Sequence, residues 1–143
     1  MSCYIDTSAL AKWYLPEPNS EAFESFVIEV DDPVISRLTV CEMRCLLARR
    51  RRAGDYDENF EMTAWAAFLE DTMSGALRVA SFEDSHMTAA TDLIGRLQGI
   101  PLRTLDALHL AIALRAGAGA LASADVVMLR AADSLGLAIH DFS

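Results

Sequence analysis

The sequence predicts an α/β fold, a parallel sheet flanked by helices within one domain spanning residues 1–143. Three observations point there. Five short apolar segments alternate with longer stretches whose apolar residues recur at helical spacing. Gly and Pro residues punctuate the chain between these segments. A length of 143 residues with 52% hydrophobic composition supports one core without a disulfide or metal staple. No internal repeat, low-complexity tract or linker breaks the pattern. Parallel strands joined through helices imply right-handed crossovers.

The first strand is Cys3–Ile5, stopped by Asp6. A helix carrying Ala9, Leu10, Trp13 and Tyr14 follows and ends at Pro16. Asn19 or Ser20 caps a second helix, whose apolar face is Ala22, Phe23, Phe26, Val27 and Val30. Asp31-Asp32-Pro33 reads as a turn and Val34–Ser36 as the second strand. A long helix then runs from about Thr39 to Ala53, with Val40, Met43, Leu46 and Leu47 inward, closed by Gly54. The next helix, about Asp57 to Thr72, places Phe60, Ala64 and Phe68 at i, i+4 spacing and ends at Gly75. Leu77–Ala80 is the third strand, and Ser81–Ser85 offers N-caps for a helix reaching Gln98. Gly99-Ile100-Pro101 breaks the chain; Thr104 caps a helix to about Arg115 that is apolar nearly all round and so buried on most sides. Ala120–Ala122 is the fourth strand. A helix after Asp125, through Leu135, leads to a fifth strand at Leu137–Ile139.

Composition narrows the function classes. No apolar run approaches the ~18 residues of a membrane span, and no basic, apolar leader opens the chain. The three cysteines form no CxxC pair and no Cys/His zinc spacing, which fits a reduced, cytoplasmic protein. A net charge of −9 argues against broad nonspecific binding to nucleic acid. It leaves room for a nucleic-acid enzyme whose excess acids hold cations beside a local basic patch, and Arg49-Arg50-Arg51-Arg52 is such a patch.

Asp6, Glu42, Asp106 and Asp125 all fall at or just inside predicted helix starts. Each has a plain structural explanation. Asp6 and Asp125 can be N-caps; Thr39-Val40-Cys41-Glu42 matches a capping box; Asp106 is a favourable first-turn acid. Together they imply more. In a parallel sheet the helices that follow strands begin at the carboxyl edge, so acids there share a cleft if their strands are neighbours. Two carboxylates ~4 Å apart repel by roughly 4 kcal/mol at an effective dielectric of 20. In such a cluster either the pKa values rise or a metal binds; a hard divalent cation with oxygen ligands is the natural match, and that cation suits phosphodiester hydrolysis.

The segments Tyr4-Ile5-Asp6-Thr7-Ser8-Ala9-Leu10, Thr39-Val40-Cys41-Glu42, Leu105-Asp106-Ala107-Leu108-His109-Leu110-Ala111 and Ala122-Ser123-Ala124-Asp125 resemble, in order and spacing, the PIN-domain nucleases. The closest resemblance is to VapC-type toxins of bacterial toxin–antitoxin pairs. It implies a five-stranded parallel sheet in order 3-2-1-4-5. It also implies Mg²⁺- or Mn²⁺-dependent ribonuclease activity on structured RNA such as tRNA or rRNA, a homodimer, and a small antitoxin that blocks the cleft. Asp6, Glu42 and Asp106 match the three central acids, and Asp125 the fourth, more variable one. Ser123 stands where the family often has Thr, and Val126-Val127 replaces more usual basic or polar residues.

Smaller signals remain. Ser8 is placed to bond a neighbouring carboxylate or a metal-bound water, with Thr7 the poorer candidate, or else both hydroxyls only cap the first helical turn. His109, three residues past Asp106, is either a ligand or a core histidine. His86 and His140 show no partner. Trp13 and Tyr14 suit the core or a dimer interface better than base stacking. The arginine run either binds RNA phosphates or an acidic antitoxin tail, or is a solvated helix end. A structure-specific DNA nuclease and a catalytically silent binding module are the rival readings.

Overall fold

In the computed structural model, which describes residues 1–143, the elements run β1 (Ser2–Ile5), α1 (Thr7–Tyr14), α2 (Ser20–Val27), β2 (Asp32–Ser36), α3 (Arg37–Arg52) and α4 (Glu58–Ser74). They continue with β3 (Arg78–Ala80), α5 (Asp84–Arg96), α6 (Thr104–Arg115), β4 (Ala120–Ser123), α7 (Val126–Ser134) and β5 (Ala138–Asp141). The strands form one sheet in order β3-β2-β1-β4-β5, and every pairing is parallel. The expected topology is the observed one.

Successive strand side chains point to opposite faces, and the core divides accordingly. Cys3, Ile5, Ile35, Ala120 and Ala122 face a layer built by α1–α4, with Leu10, Phe23, Met43, Leu47 and Phe68 fully buried there. Tyr4, Val34 and Leu121 face a layer built by α5–α7. Burying one such Leu or Phe contributes roughly 1.5–3 kcal/mol, so two apolar layers clamp the sheet and fix its register. β1 is the central strand, and its Cα partners are Asp32–Val34 on one side and Ala120–Ala122 on the other.

Several boundaries differ from the sequence reading. Asp32 and Pro33 belong to β2 rather than to a turn. Pro is tolerated at a strand start, and pairing with β3 begins only at Val34. α2 stops at Val27, because the Glu29 and Val30 amides bond three residues back, to Phe26 and Val27 carbonyls, and tighten the chain out of the helix. α3 starts at Arg37, since its capping box pairs Ser36 with Thr39: the Ser36 N–H donates to Thr39 Oγ1 at 3.1 Å. Glu42 therefore lies a turn beyond the box and is free of that role. Arg103, not Thr104, occupies the N-cap of α6. Glu83 occupies that of α5, where its N–H donates to His86 Nδ1 at 2.9 Å, giving His86 a partner. His140 also has one, the Phe26 ring at 4.5 Å between centroids.

Candidate active site

Asp6 ends the central strand. Its N–H donates to the Ala122 carbonyl of β4, while its own carbonyl accepts from Ala9 and Leu10 and starts α1. It occupies the N-cap of α1, yet its side chain makes no cap hydrogen bond. The carboxylate instead accepts from Ser8 Oγ at 2.7 Å and Ser123 Oγ at 2.8 Å, both on Oδ2. Those hydroxyls are themselves fixed by the backbone: Ala124 N–H donates to Ser8 Oγ, and Asp125 N–H to Ser123 Oγ. Only 7% of Asp6 is exposed. Burial pushes its carboxyl above the ordinary carboxylate range, and the His109 charge and the two hydroxyls offset this only in part. Ser8 thus bonds a neighbouring carboxylate, one of the two roles expected of it.

Glu42 stands on α3, across the central strand from β4. Thr7 Oγ1 donates to Glu42 Oε1 at 2.8 Å, so Thr7 has a definite place in the cleft. The same oxygen meets His109 Nε2. His109 is 1% exposed, and its other nitrogen, Nδ1, lies 2.7 Å from the Tyr4 hydroxyl. Tyr4 in turn bonds Ser36 at 2.9 Å. A frame running Thr7–Glu42–His109–Tyr4–Ser36 therefore ties α1, α3, α6, β1 and the α3 cap together. Burial acts to raise the Glu42 carboxyl, but the hydrogen bond and charge of His109, with Thr7, outweigh it and hold Glu42 low. Burial likewise acts to lower His109, and Glu42, Asp6 and Asp106 outweigh it, holding the imidazole above its usual value. His109 is thus a buried histidine pressed against the acids, between the two readings its spacing allowed.

Asp106 and Asp125 line the opposite wall and do act in capping. The Arg103 N–H donates to Asp106 Oδ2 at 3.2 Å. Asp125 Oδ1 accepts from Val127 N–H at 2.8 Å and Met128 N–H at 3.3 Å. The Arg103 guanidinium spans the two acids, 3.6 Å from Asp106 and 3.6 Å from Asp125.

All four acids line one cavity of about 390 Å³, with Thr7, Ser8, Arg49, Arg103 and Leu105. It continues into an outer space walled by Glu42, Arg49, Arg103 and Asp106. Glu83 and Asp84 follow β3, at the sheet's edge, and line neither space. The arginine run splits. Arg50 bonds Glu17 at 2.5 Å and Asp55 at 2.8 Å. Arg51 bonds the buried Glu61 at 2.6 Å. Arg49 alone of the four faces the cleft, and Arg52 is exposed. Trp13 and Tyr14 pack on the α1–α4 core, where Tyr14 donates to Asp71 at 2.5 Å.

A hard divalent cation suits the four carboxylates and the Thr7 and Ser8 hydroxyls of this cavity, which Cys45 also lines and behind which His109 bonds Glu42. As the side chains stand, no three Asp, Glu, His or Cys groups form a metal-holding cluster. Protein groups balance the acids instead: Arg103 against Asp106 and Asp125, His109 against Glu42, and two hydroxyls on Asp6. Sequence reasoning passed over Arg103, although a cation three residues before an acid is a readable helix-flank pair. The donor role of Ser123 leaves no local pattern, because its partner is 117 positions away.

A five-stranded parallel sheet with acids gathered at its carboxyl edge defines the class: an α/β protein with one acidic cleft beside its central strand. The PIN domain family model matches residues 3–134. The chain is 34% identical over 139 residues to Ribonuclease VapC46 of Mycobacterium tuberculosis, covering 95% of this chain and 94% of that one. Among solved structures, VapC20 of Mycobacterium tuberculosis, described as a sarcin-ricin loop cleaving toxin, superposes with a TM-score of 0.72 at 18% identity, covering 94% and 95% of the two chains. FitAcB from Neisseria gonorrhoeae superposes with a TM-score of 0.73 at 19% identity, covering 97% and 96%. DNA-bound VapBC from Salmonella typhimurium gives 0.69 at 17%, covering 100% and 99%. The chain belongs to the PIN-domain family, and within it to the VapC type.

Proposed function

We propose that this protein is a divalent-metal-dependent endoribonuclease, the toxin of a toxin–antitoxin pair, hydrolysing phosphodiester bonds of structured RNA such as tRNA or rRNA. One observation carries the reading: four acids distant in sequence line a single cavity, in a PIN-domain chain related to a protein named as a ribonuclease. Asp6, Glu42 and Asp106, with Asp125, would hold the ion. A bound Mg²⁺ or Mn²⁺ neutralises phosphate charge and makes a coordinated water more acidic. The chain's own contribution is placement. Ser8 and Ser123 fix the Asp6 carboxylate, and Thr7 with His109 fixes Glu42 in its ionised form. Arg49 offers a cation to the phosphate backbone at the rim, and the paired Arg50 and Arg51 do not.

A cognate antitoxin fits the solved neighbours, several of which are toxin–antitoxin complexes. Homodimerisation fits the apolar side chains left exposed on α4 and α5, among them Met62, Met73, Met87 and Ile94. The test is cleavage of total RNA and of matched DNA with Mg²⁺, followed by sequencing of the new RNA ends. Cuts at defined RNA positions support the proposal. Equal cleavage of DNA supports the DNA-nuclease rival, and no cleavage under any divalent ion supports a binding module.

A further inference from the structure

The acids of the cleft are paired with two nitrogen-bearing side chains, and the two differ. His109 is enclosed and held at both ring nitrogens. Arg103 has a side chain 80% exposed, hangs from the first residue before α6, and reaches Asp106 and Asp125 at 3.6 Å without a close hydrogen bond to either. Exposed pairs of this kind are weak. Nothing packs the guanidinium in place, and the cavity it borders opens on the same side into the outer space shared with Arg49.

We infer that Arg103 is an exchangeable counter-cation: it neutralises Asp106 and Asp125 in the ion-free protein, yields them when a divalent ion binds, and then turns its guanidinium to a substrate phosphate. This rests on the proposed metal-dependent function and adds a residue and an order to it. It accounts for two observations at once. The acids form no three-ligand cluster as they stand, and Arg103 lies 3.6 Å from two of them. A protein of net charge −9 also needs a cation near the scissile bond, and the arginine run supplies only Arg49 there. A guanidinium released from carboxylates has a phosphate as its natural bidentate partner.

The test is Mn²⁺ binding by isothermal titration to the full-length protein without RNA, comparing wild type, Arg103→Gln, Arg103→Lys and Arg52→Gln. All are surface changes that keep the backbone N–H bonded to Asp106. Arg103→Gln is expected to tighten Mn²⁺ binding about two- to fivefold, the worth of an exposed pair; Arg103→Lys and Arg52→Gln stay near wild type. In RNA cleavage, Arg103→Gln is expected to raise KM several-fold while needing less ion for half-maximal rate. Unchanged or weaker Mn²⁺ binding in Arg103→Gln overturns the counter-cation role, and an unchanged KM overturns the phosphate role. A wild type that binds no Mn²⁺ at all sinks the metal-dependent reading beneath both.

Discussion

The two walls of the cleft carry the same residue types at the same kind of position, yet they use them differently. On the wall of β1 and α3, Asp6 and Glu42 give no cap to their helices and are bonded by hydroxyls and an imidazole. On the wall of α6 and α7, Asp106 and Asp125 accept from backbone amides and share an exposed arginine. A carboxylate at a helix start is ordinarily explained by capping. That explanation holds for the second wall and fails for the first. Asp6 and Glu42, which have no capping duty, are the acids that the proposed metal site would account for most directly.

The sharpest way to break this contrast is to make the same substitution on both walls. Asp6→Asn is expected to reduce RNA cleavage at least about 100-fold, beyond the 10–100-fold typical of residues that only support ligands. Its melting temperature should hold or rise, because a buried charge is removed. Asp125→Asn keeps the cap, since Asn caps as well as Asp. A large loss of stability in Asp6→Asn, read by thermal melting, would show that the first wall is structural too.

Next in size is the frame behind Glu42. His109→Ala leaves the half-buried Glu42 carboxylate and the Tyr4 hydroxyl without their partner, removes a buried ring, and is expected to cost about 2–4 kcal/mol in urea unfolding. Tyr4→Phe, which removes one hydroxyl from the same frame, should cost about 1–3 kcal/mol. If both are neutral, His109 does not organise the first wall. Asp125→Ala comes third, at about 1 kcal/mol from the lost cap, with Asp125→Asn close to wild type in the same melts.

The smallest effect lies outside the cleft. Arg78 of the edge strand β3 bonds Asp32 of the neighbouring β2 through two guanidinium nitrogens, at 3.0 and 2.8 Å. The Arg78 hydrogen bond holds the Asp32 carboxyl below the ordinary range. A carboxyl lowered by folding adds stability above its unfolded pKa and loses it as pH falls through the folded one. Arg78→Gln should therefore cost under ~1 kcal/mol at neutral pH, nothing in strong acid, and no activity. Loss of cleavage would mean that acid pairs matter beyond the cleft.

Much of the fold was readable from the sequence because helices and strands leave periodic apolar traces. All five strands and the long helices α3, α4 and α6 follow such traces, and their errors are end effects. Pro33 looked like a turn because its strand role comes from pairing with the distant Cys3 of β1, while β3 pairs only from Val34 on. Glu42 looked like a capping-box residue because Thr39 precedes it by three, whereas the Ser36 hydroxyl wins the Thr39 amide. In the site, the four acids announced themselves by repeated position, and Ser8 by adjacency to Asp6. Thr7, Ser123 and Tyr4 did not, because their bonds to Glu42, Asp6 and His109 cross 35, 117 and 105 positions. Arg50 and Arg51 looked equivalent to Arg49 until Glu17, Asp55 and Glu61, on other elements, took their charges.

Whether the acid cleft acts on RNA through a divalent ion is decided by one titration. Purified protein free of any antitoxin is stripped with EDTA, and RNA cleavage is followed as Mg²⁺ or Mn²⁺ is restored, with Asp6→Asn alongside. The expected result is no cleavage in EDTA, a rate that rises and saturates with added ion in the wild type, and none in Asp6→Asn at any ion concentration. Cleavage that persists at full rate in EDTA, or that survives in Asp6→Asn, would contradict it.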